Sequence, residues 1–318
     1  MTTAVGEAPG KILLVGEHAV VYGHPAIAIP LRGIRARAEV AFHRDSAIRM
    51  TAPDLGEFDV SMEQASPRLS PLLGLAESVR RYFGEESQGL RIHLESTIPI
   101  GRGMGSGAAA AIATVRGVCA ALGRRLDAMQ VAELAMESEK VFHGNPSGVD
   151  TAVVARNEPI YFVKRKPIRG IEVKRSEFRF VIADTGIESP TADVVEDVRI
   201  ARDADRARYD SFFWELGSMA SVAREMIRTG SPEELGLCMN HAHAVLQNIG
   251  VSCAELDHLV AAAVEHGALG AKLSGAGRGG AVIALVGAKA DPEALDSALR
   301  LAGAQSVFTT VLNGAPAP

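Results

Sequence analysis

The stretch IPIGRGMGSGAA, residues 98–109, places four glycines in seven residues directly before an alanine-rich segment. The pattern predicts a strand over 90–95 and a helix over 107–122. Glycine can adopt a left-handed backbone conformation, and its lack of a side chain lets an anion come close to the backbone. Several N–H groups of such a loop can therefore point at one anion where the helix begins. The stretch therefore predicts a phosphate-binding loop, with an ordinary glycine-rich turn as the alternative.

The length, charge and composition of the chain limit the classes of protein to which it can belong. The chain has 318 residues, a length typical of two domains. Lys and Arg total 33 and Asp and Glu total 38, which gives a net charge of −5. Nucleic-acid surfaces usually carry a basic excess, so a nucleic-acid partner is not expected. With 47% hydrophobic and 22% charged residues, the chain has the composition of a globular enzyme or binding protein.

Cysteine usage and the apolar runs indicate the compartment. The three cysteines, Cys119, Cys238 and Cys253, include no CxxC pair, which argues against a disulfide framework or a zinc site. The N-terminal apolar run, residues 12–15, is too short for a secretion signal, and no segment has the roughly 20 apolar residues of a membrane span. We therefore expect a cytoplasmic protein without a membrane partner.

Hydrophobic periodicity predicts mixed strands and helices. Residues 34–42 alternate as in a half-buried strand, whereas 71–83 and 128–142 have helical spacing, and 191–229 predicts a helix in two pieces. Asp291 before a proline predicts an N-cap. Ser252 and Glu255 have the spacing of a capping box for a helix that ends near Gly267.

Two further glycine-rich motifs lie at 144–148 and 275–280. No Gly-x-x-x-x-Gly-Lys-Ser/Thr sequence occurs, which excludes a Walker-type P-loop. Gly275, Gly277 and Gly280 match Gly-x-Gly-x-x-Gly, but 281–286 predicts a strand where a dinucleotide-binding fold needs a helix. A tight loop between two strands is the better interpretation of 275–280.

Charged residues next to these motifs offer the chemistry of phosphoryl transfer. That reaction needs a phosphate cradle, a divalent metal on oxygen ligands and a group that orients the nucleophile. Lys11, Glu139 and Asp150 are of the required types. Two of them have an ordinary structural alternative: Lys11 as a solvated strand residue, and Asp150 as a turn or N-cap aspartate.

The histidines near these motifs also have structural interpretations. His18 follows a strand-like segment and can be a hydrogen-bonded structural residue. His241 and His243 are metal-ligand types, but positions i and i+2 do not share a helix face, so we interpret the pair as structural.

Taken together, four motifs resemble those of the GHMP kinase superfamily and occur in its order. They are PGKILLVGEHAVVYG at 9–23, IPIGRGMGSGAA at 98–109, HGNPSGVD at 143–150 and KLSGAGRGG at 272–280. The first and third resemble the mevalonate kinases in particular. The resemblance implies an α+β fold of two domains. Residues 1–168 would form an N-terminal ATP-binding domain like ribosomal S5 domain 2, and 169–318 a ferredoxin-like C-terminal domain.

The resemblance also implies an activity and roles for residues. The activity is ATP-dependent phosphorylation of the 5-hydroxyl of (R)-mevalonate, with Mg²⁺ as cofactor and a homodimer as the expected assembly. Asp150 matches the catalytic proton acceptor, Lys11 its lysine partner, and Glu139 with Ser106 the metal ligands. Acceptor-substrate contacts fall on His18, Ser147, Gly275 and Ala276. ATP contacts fall on Lys11, Ser96, Pro99, Gly101, Arg102, Gly103, Met104, Gly105, Ser106 and Gly107.

Two positions depart from the family pattern. Gly107 stands where a second serine usually gives magnesium a hydroxyl ligand. Either Ser106 or a water molecule takes that ligand position, or the metal relies more on Glu139. Arg278 stands where glycine is common, and we expect its side chain to face solvent rather than phosphate.

Alternatives of other classes stay open at this point. Phosphomevalonate kinase, mevalonate 3-kinase and homoserine kinase would share the phosphate loop but differ around 16–18 or 147–150. A non-catalytic ligand-binding relative would keep the fold alone, and the presence of Lys11, Glu139 and Asp150 argues against it.

Overall fold

The computed structural model describes residues 3–143, 148–173, 177–287 and 290–313, and of residues 137–143 it describes the backbone alone. The strands are β1 (Ala4–Val15), β2 (Ala26–His43), β3 (Ile48–Ala52), β4 (Glu57–Val60), β5 (Gly89–Ser96), β6 (Ile160–Phe162), β7 (Arg169–Gly170), β8 (Glu177–Asp184), β9 (Ala268–Ser274), β10 (Ala281–Val286) and β11 (Ser306–Asn313). The helices are α1 (Ser70–Tyr82), α2 (Ser106–Ala121), α3 (Ala128–His143), α4 (Val149–Arg156), α5 (Thr191–Ala204), α6 (Arg206–Thr229), α7 (Pro232–Ile249), α8 (Ala254–Glu265) and α9 (Pro292–Leu301). The α+β class predicted from the sequence is confirmed.

The chain divides into two compact units, and each draws on separate parts of the sequence. The first unit comprises residues 1–10, 34–99 and 105–157, and the second comprises 11–33, 100–104 and 158–318. The division expected at residue 168 stays a prediction. Within the described part of the chain, no helix is both long enough and apolar enough to cross a bilayer.

The first unit packs helices on one face of a sheet with the order β4-β3-β5-β2, and β1 also pairs with β2. β2 and β5 run antiparallel, with Ala36 opposite Ser96, whereas β3 and β5 are parallel. The alternation expected for 34–42 is present from Ile34 to Val40, where the intervening side chains are more exposed, but it is wrong at Phe42, which is 42% exposed. α1 to α4 pack against one another on the buried side.

The second unit contains an antiparallel sheet with the order β11-β8-β10-β9, together with α5 to α9. Its other strand pairing joins the start of β2 to β6 and β6 to β7. The large side chains of Phe178, Phe180 and Phe213 are fully buried, and each such burial stabilises the unit by roughly 2–3 kcal/mol. The two pieces predicted for 191–229 are α5 and α6.

α7 lies along β9 at very short range. A Cβ on Gly270 would lie 1.9 Å from the carbonyl oxygen of Gly236, and one on Gly236 would lie 2.5 Å from the carbonyl oxygen of Leu269. Glycine at both positions is therefore what lets the helix backbone rest on the strand backbone. α7 thus covers the side of β9 that does not pair with β10.

Two helix starts test the capping predictions. Asp291 is the N-cap of α9, and its carboxylate accepts a hydrogen bond from the Glu293 backbone N–H, as predicted. The capping box at Ser252 is wrong, because α8 begins after Cys253 and the Ser252 hydroxyl donates to the Asp257 carboxylate. The predicted end of this helix near Gly267 is confirmed.

Candidate active site

The predicted phosphate loop has an unusual backbone. Gly101, Gly103 and Gly105 have φ of 72°, 74° and 75°, in the left-handed region that favours glycine. Gly105 is the N-cap of α2, so Ser106 and Gly107 begin the helix where unpaired N–H groups and the helix dipole favour an anion. The loop therefore has the backbone that a phosphate cradle at a helix N-terminus requires.

Lys11 lies in the part of β1 that belongs to the second unit, as do residues 101–104 of the loop. Its backbone N–H donates to the Met104 carbonyl at 2.9 Å, and the residue is only 4% exposed. The alternative of a solvated strand lysine is therefore wrong. Met104 is itself buried, with 1% of its surface exposed, so its side chain serves as a core residue under the loop.

Arg102 extends from the same loop to the sheet of the second unit. Its Nε lies 3.3 Å from Oδ1 of Asp184, a residue at the end of β8 with a buried carboxylate. Asp184 also accepts from the Gly186 backbone N–H. This ion pair fastens the loop, and an ATP contact from Arg102 stays a prediction.

His18 lies directly before a short 3₁₀ turn and has φ of 58°. The residue is 5% exposed, and its Nε2 donates to the Ala276 carbonyl at 2.9 Å. Burial lowers the pKa of His18 to about 4, so the ring is neutral at pH 7. Two predicted acceptor-substrate residues, His18 and Ala276, are thus brought together.

The loop 275–280 joins two strands, as predicted. β9 and β10 pair antiparallel on its two sides, with Ala281 opposite Ser274. The Ser274 hydroxyl donates to the Leu13 carbonyl at 2.8 Å and accepts from the Leu13 N–H at 3.1 Å. The last residue of β9 is therefore fixed to β1, two positions from Lys11.

Arg278 faces solvent, as expected. Its side chain is 42% exposed and pairs with Asp197 of α5 at 2.5 Å. The Ser189 hydroxyl donates to the Gly277 carbonyl at 2.7 Å on the same side of the loop. The loop is thus tied to the α5 region, and the departure from glycine at 278 supplies one of the ties.

In the first unit, Asp150 occupies the first turn of α4 and is half-buried. Gly148, with φ of 86°, is the N-cap of this helix, so the N-cap interpretation of Asp150 is wrong. α4 packs against α2, and the Arg116 guanidinium of α2 donates to the Ala155 carbonyl at 2.7 Å. The helix that carries Asp150 is therefore fixed to the helix that follows the phosphate loop.

Ser96 and Pro99 do not line the pocket of about 480 Å³ in the first unit, and Ser96 is connected to it only through Asp54. The Ser96 backbone N–H donates to Asp54 at 2.7 Å, and Asp54 lines the pocket with Leu55 and Arg68. The Ser96 hydroxyl accepts from the Ile98 N–H at 3.1 Å and so shapes the turn before the glycine loop. Pro99 is half-buried in that turn.

Two predicted site residues cannot be placed. Ser147 and the Glu139 side chain lie outside the described residues. Within the described part, no group of three or more His, Cys, Asp or Glu residues is arranged to hold a metal. The roles of Ser147 and Glu139 stay predictions.

Comparisons with known proteins agree with one another. The GHMP kinases N terminal domain model matches residues 71–158, and the GHMP kinases C terminal model matches 222–305. A mevalonate kinase of Thermococcus sibiricus is 33% identical over 96% of both chains. One from Aeropyrum pernix is 35% identical over 89% of this chain and 88% of its own. The chain belongs to the mevalonate kinase family of GHMP kinases.

A solved structure of the same family has the same fold. The Methanococcus jannaschii mevalonate kinase superposes with a TM-score of 0.83 at 26% identity, covering 99% of each chain. As a member of the mevalonate kinase family, the chain is a kinase, and ATP is the co-substrate of the family.

Sequence reasoning missed one pair of residues in this GHMP kinase. Glu17 and Lys272 belong to the first and fourth motifs, and their side chains form an ion pair with no exposed surface. A lysine between Ala271 and Leu273, in an otherwise apolar strand, was the available signal, because a buried lysine needs a partner of opposite charge. Local spacing could not identify that partner.

The structural interpretation of His241 and His243 is confirmed, because each ring has its own carboxylate partner. His241 is exposed and pairs with Glu215 of α6 at 2.8 Å. His243 is buried, and its Nε2 lies 3.1 Å from Oδ1 of Asp257 in α8. The two rings have different partners on different helices, as the i, i+2 spacing predicted.

Proposed function

We propose that the chain transfers the γ-phosphoryl group of ATP to the 5-hydroxyl of (R)-mevalonate, which gives 5-phosphomevalonate and ADP. The observation that carries this proposal is the likeness to relatives named mevalonate kinase, at 33% identity over 96% of both chains. The four motifs support it, since each supplies a residue type that phosphoryl transfer uses.

The nucleotide phosphates bind at the glycine loop. Gly101 to Gly107 offer backbone N–H groups, and the N-terminus of α2 adds the positive end of its dipole. Because Arg102 is paired with Asp184, the loop is held before the nucleotide arrives. Preorganised donors of this kind stabilise transferred charge without reorganising during the reaction.

Asp150 and Lys11 act on the attacking hydroxyl. The 5-hydroxyl oxygen forms a bond to the γ-phosphorus as the bond from that phosphorus to the β–γ bridging oxygen breaks. The hydroxyl proton passes to the Asp150 carboxylate. The Lys11 ammonium stabilises the negative charge that develops on the attacking oxygen. A lysine that is 4% exposed suits this role, because low local polarity strengthens its field.

Magnesium fits the oxygen ligands available in the first unit. Ser106 starts α2 with a hydroxyl, and Asp150 and Glu139 carry carboxylates, which are the donors a hard cation prefers. Ser106 and Glu139 are the residues that would hold it. When bound, Mg²⁺ neutralises charge on the β- and γ-phosphates.

The acceptor is held by His18 and the loop 275–280. His18 donates its single ring proton to Ala276, which fixes the ring and leaves its Nδ1 as an acceptor. Gly275 and Ala276 present their backbone beside it, and Ser147 is assigned to the acceptor from the motif alone.

We also infer a homodimer in the cytoplasm. The dimer rests on the family resemblance alone. The cytoplasmic location is supported by the three cysteines, none of which is in a disulfide. Light scattering coupled to size exclusion, and fractionation of source cells, measure the two properties.

A panel of acceptors tests the proposed function. Mevalonate, phosphomevalonate and homoserine are compared under one ATP-consumption assay, and kcat/KM for mevalonate is expected to exceed the others by about 100-fold or more. Proton-coupled ³¹P NMR of the product distinguishes the 5-phosphate, a triplet split by the adjacent CH₂, from a 3-phosphate on a tertiary carbon. A higher kcat/KM for another acceptor, or a product without the triplet, contradicts the proposal.

A further inference from the structure

On the edge of β9 that does not pair with β10, backbone N–H groups are hydrogen-bonded by side chains of α7 instead of by another strand. Asn240 accepts from the Ala271 N–H at 2.9 Å through Oδ1. One turn further along α7, Nδ1 of His243 accepts from the Leu273 N–H at 3.3 Å. Two alternate N–H groups of the strand edge therefore have partners on the helix, as they would on a neighbouring strand.

These contacts assign the tautomer of His243. Because Nδ1 accepts from Leu273, the ring proton must be on Nε2, which donates to Oδ1 of Asp257 at 3.1 Å. The Ser252 hydroxyl donates to the same oxygen at 2.5 Å. A chain of hydrogen bonds thus runs from the start of α8 through His243 to β9, and it requires a neutral imidazole.

The surroundings of the ring favour that neutral form. Burial lowers the pKa of His243, the charge of Asp257 on α8 raises it, and the charge of Lys272 on β9 lowers it again. A protonated ring would carry hydrogen on both nitrogens and would lose the acceptor for Leu273.

The position of Leu273 connects this chain to the candidate active site. Leu273 lies between Lys272, the partner of Glu17, and Ser274, whose hydroxyl is bonded to Leu13. Three residues after Leu273, the Ala276 carbonyl accepts from His18. The hydrogen bond from Leu273 to His243 therefore fixes the strand where it enters the loop 275–280.

We propose that His243 is a positioning residue for the acceptor substrate: it holds the end of β9 so that Ala276 and His18 keep the arrangement in which the acceptor binds. This role rests on the proposed function, because the acceptor is the molecule whose binding it controls. His243 touches no reactant, and it acts through the backbone of Leu273.

The test compares two substitutions on the buried ring. His243→Gln supplies an acceptor oxygen for Leu273 and N–H donors for Asp257 at a similar reach, whereas His243→Leu supplies neither. Leaving the Leu273 N–H unpaired is expected to raise KM for mevalonate about tenfold in His243→Leu. We expect His243→Gln to stay within about threefold of wild type, and the Kd for ATP to change little in both.

His241→Leu is the matched control, because His241 lies on the same helix but is exposed. It is expected to keep the wild-type KM. A wild-type KM in folded His243→Leu overturns the proposal, and so does an equal loss in His243→Gln and His243→Leu, which would indicate a steric role for the ring alone.

A measurement without substrate keeps the proposal testable if His243→Leu does not fold. In wild-type protein with ¹⁵N-labelled histidine, the His243 signal, assigned by its loss in His243→Gln, is expected to show a protonated Nε2 and a bare Nδ1 at pH 7. A ring protonated at Nδ1 overturns the proposal. Inactivity of the wild type on mevalonate would instead contradict the proposed function, which separates the two failures.

Discussion

Glu17 and Lys272, 255 residues apart in the sequence, form an ion pair in which neither side chain has exposed surface. Lys272 Nζ also donates to the Leu273 carbonyl at 2.5 Å. Burial lowers the pKa of Lys272, and the neighbouring carboxylate of Glu17 opposes that change. The pair joins the segment before His18 to the strand before the loop 275–280, so it fastens two of the four motifs together.

Removing one member of this pair leaves a buried charge without a partner. Lys272→Met is therefore expected to reduce the free energy of unfolding by about 3–5 kcal/mol, and Glu17→Gln by a similar amount. The double variant is expected to lose less than the sum of the two single losses. Urea unfolding of the four proteins gives the coupling, and additive losses would show that the pair contributes no net interaction.

Asp150 is predicted to act on the proton rather than on the nucleotide. An amide keeps the shape of the carboxylate but cannot accept a proton, so Asp150→Asn is expected to lower kcat by about 10²–10⁴. The Kd for ATP, measured by calorimetry, is expected to change little, because the phosphates bind at the glycine loop. A wild-type kcat would leave Asp150 as a residue of the α4 first turn with no part in the chemistry.

Lys11 supplies the companion measurement. Lys11→Met is also expected to lower kcat, and the Lys11→Met, Asp150→Asn double variant is expected to lose less than the product of the single losses, because the two residues act on one hydroxyl. Independent, multiplying losses would contradict a shared role.

Gly107 gives a prediction about the metal. If a ligand position is missing there, Gly107→Ser lowers the magnesium concentration required for half-maximal activity. Glu139→Gln is expected to raise that concentration, because a neutral amide is a poorer ligand for a hard cation than a carboxylate. Titration of activity with magnesium at saturating ATP measures both, and an unchanged requirement in Gly107→Ser counts against the missing ligand.

His18 makes the folded state sensitive to acid. Its pKa is about 4 in the fold against 6.5 for a free ring, so the unfolded chain binds the proton more tightly. The contribution of His18 to the free energy of unfolding is therefore complete above about pH 6.5 and is lost as the pH falls towards 4. Between pH 7 and pH 5 this loss lowers the free energy of unfolding by about 2 kcal/mol. His18→Asn, which has no titrating ring, is expected to lose that much less stability over the same interval. Urea unfolding at the two pH values measures it, and equal losses would contradict the low pKa.

Local patterns predicted the elements that depend on neighbouring residues. The break between α5 and α6, the Asp291 cap and the strand–loop–strand at 275–280 all follow from spacing and turn chemistry within a few residues. The capping box at Ser252 failed although its spacing was correct. The helix begins one residue later, with Cys253 as its N-cap, and the Ser252 hydroxyl donates to Asp257, which also accepts from His243 on another helix.

The motifs predicted residues for the candidate site but not the contacts that hold those residues in place. The motifs pointed to Lys11, His18 and Asp150, yet the burial of Lys11 and the hydrogen bond from His18 to Ala276 depend on contacts across the chain. The same holds for the partners of Lys272 and His243. Pairing between residues so far apart is determined by tertiary packing, which no periodicity within one element encodes.

The contact between Gly236 and Gly270 has a consequence for how copies of this chain can associate. The open edge of a sheet is a template on which a foreign strand can add, and proteins commonly block such edges. Here a helix backbone occupies that place, and its side chains already bond the N–H groups of Ala271 and Leu273. Addition of a strand to β9 is therefore blocked. Copies of this chain that associate at this edge must do so through the outward side chains of α7.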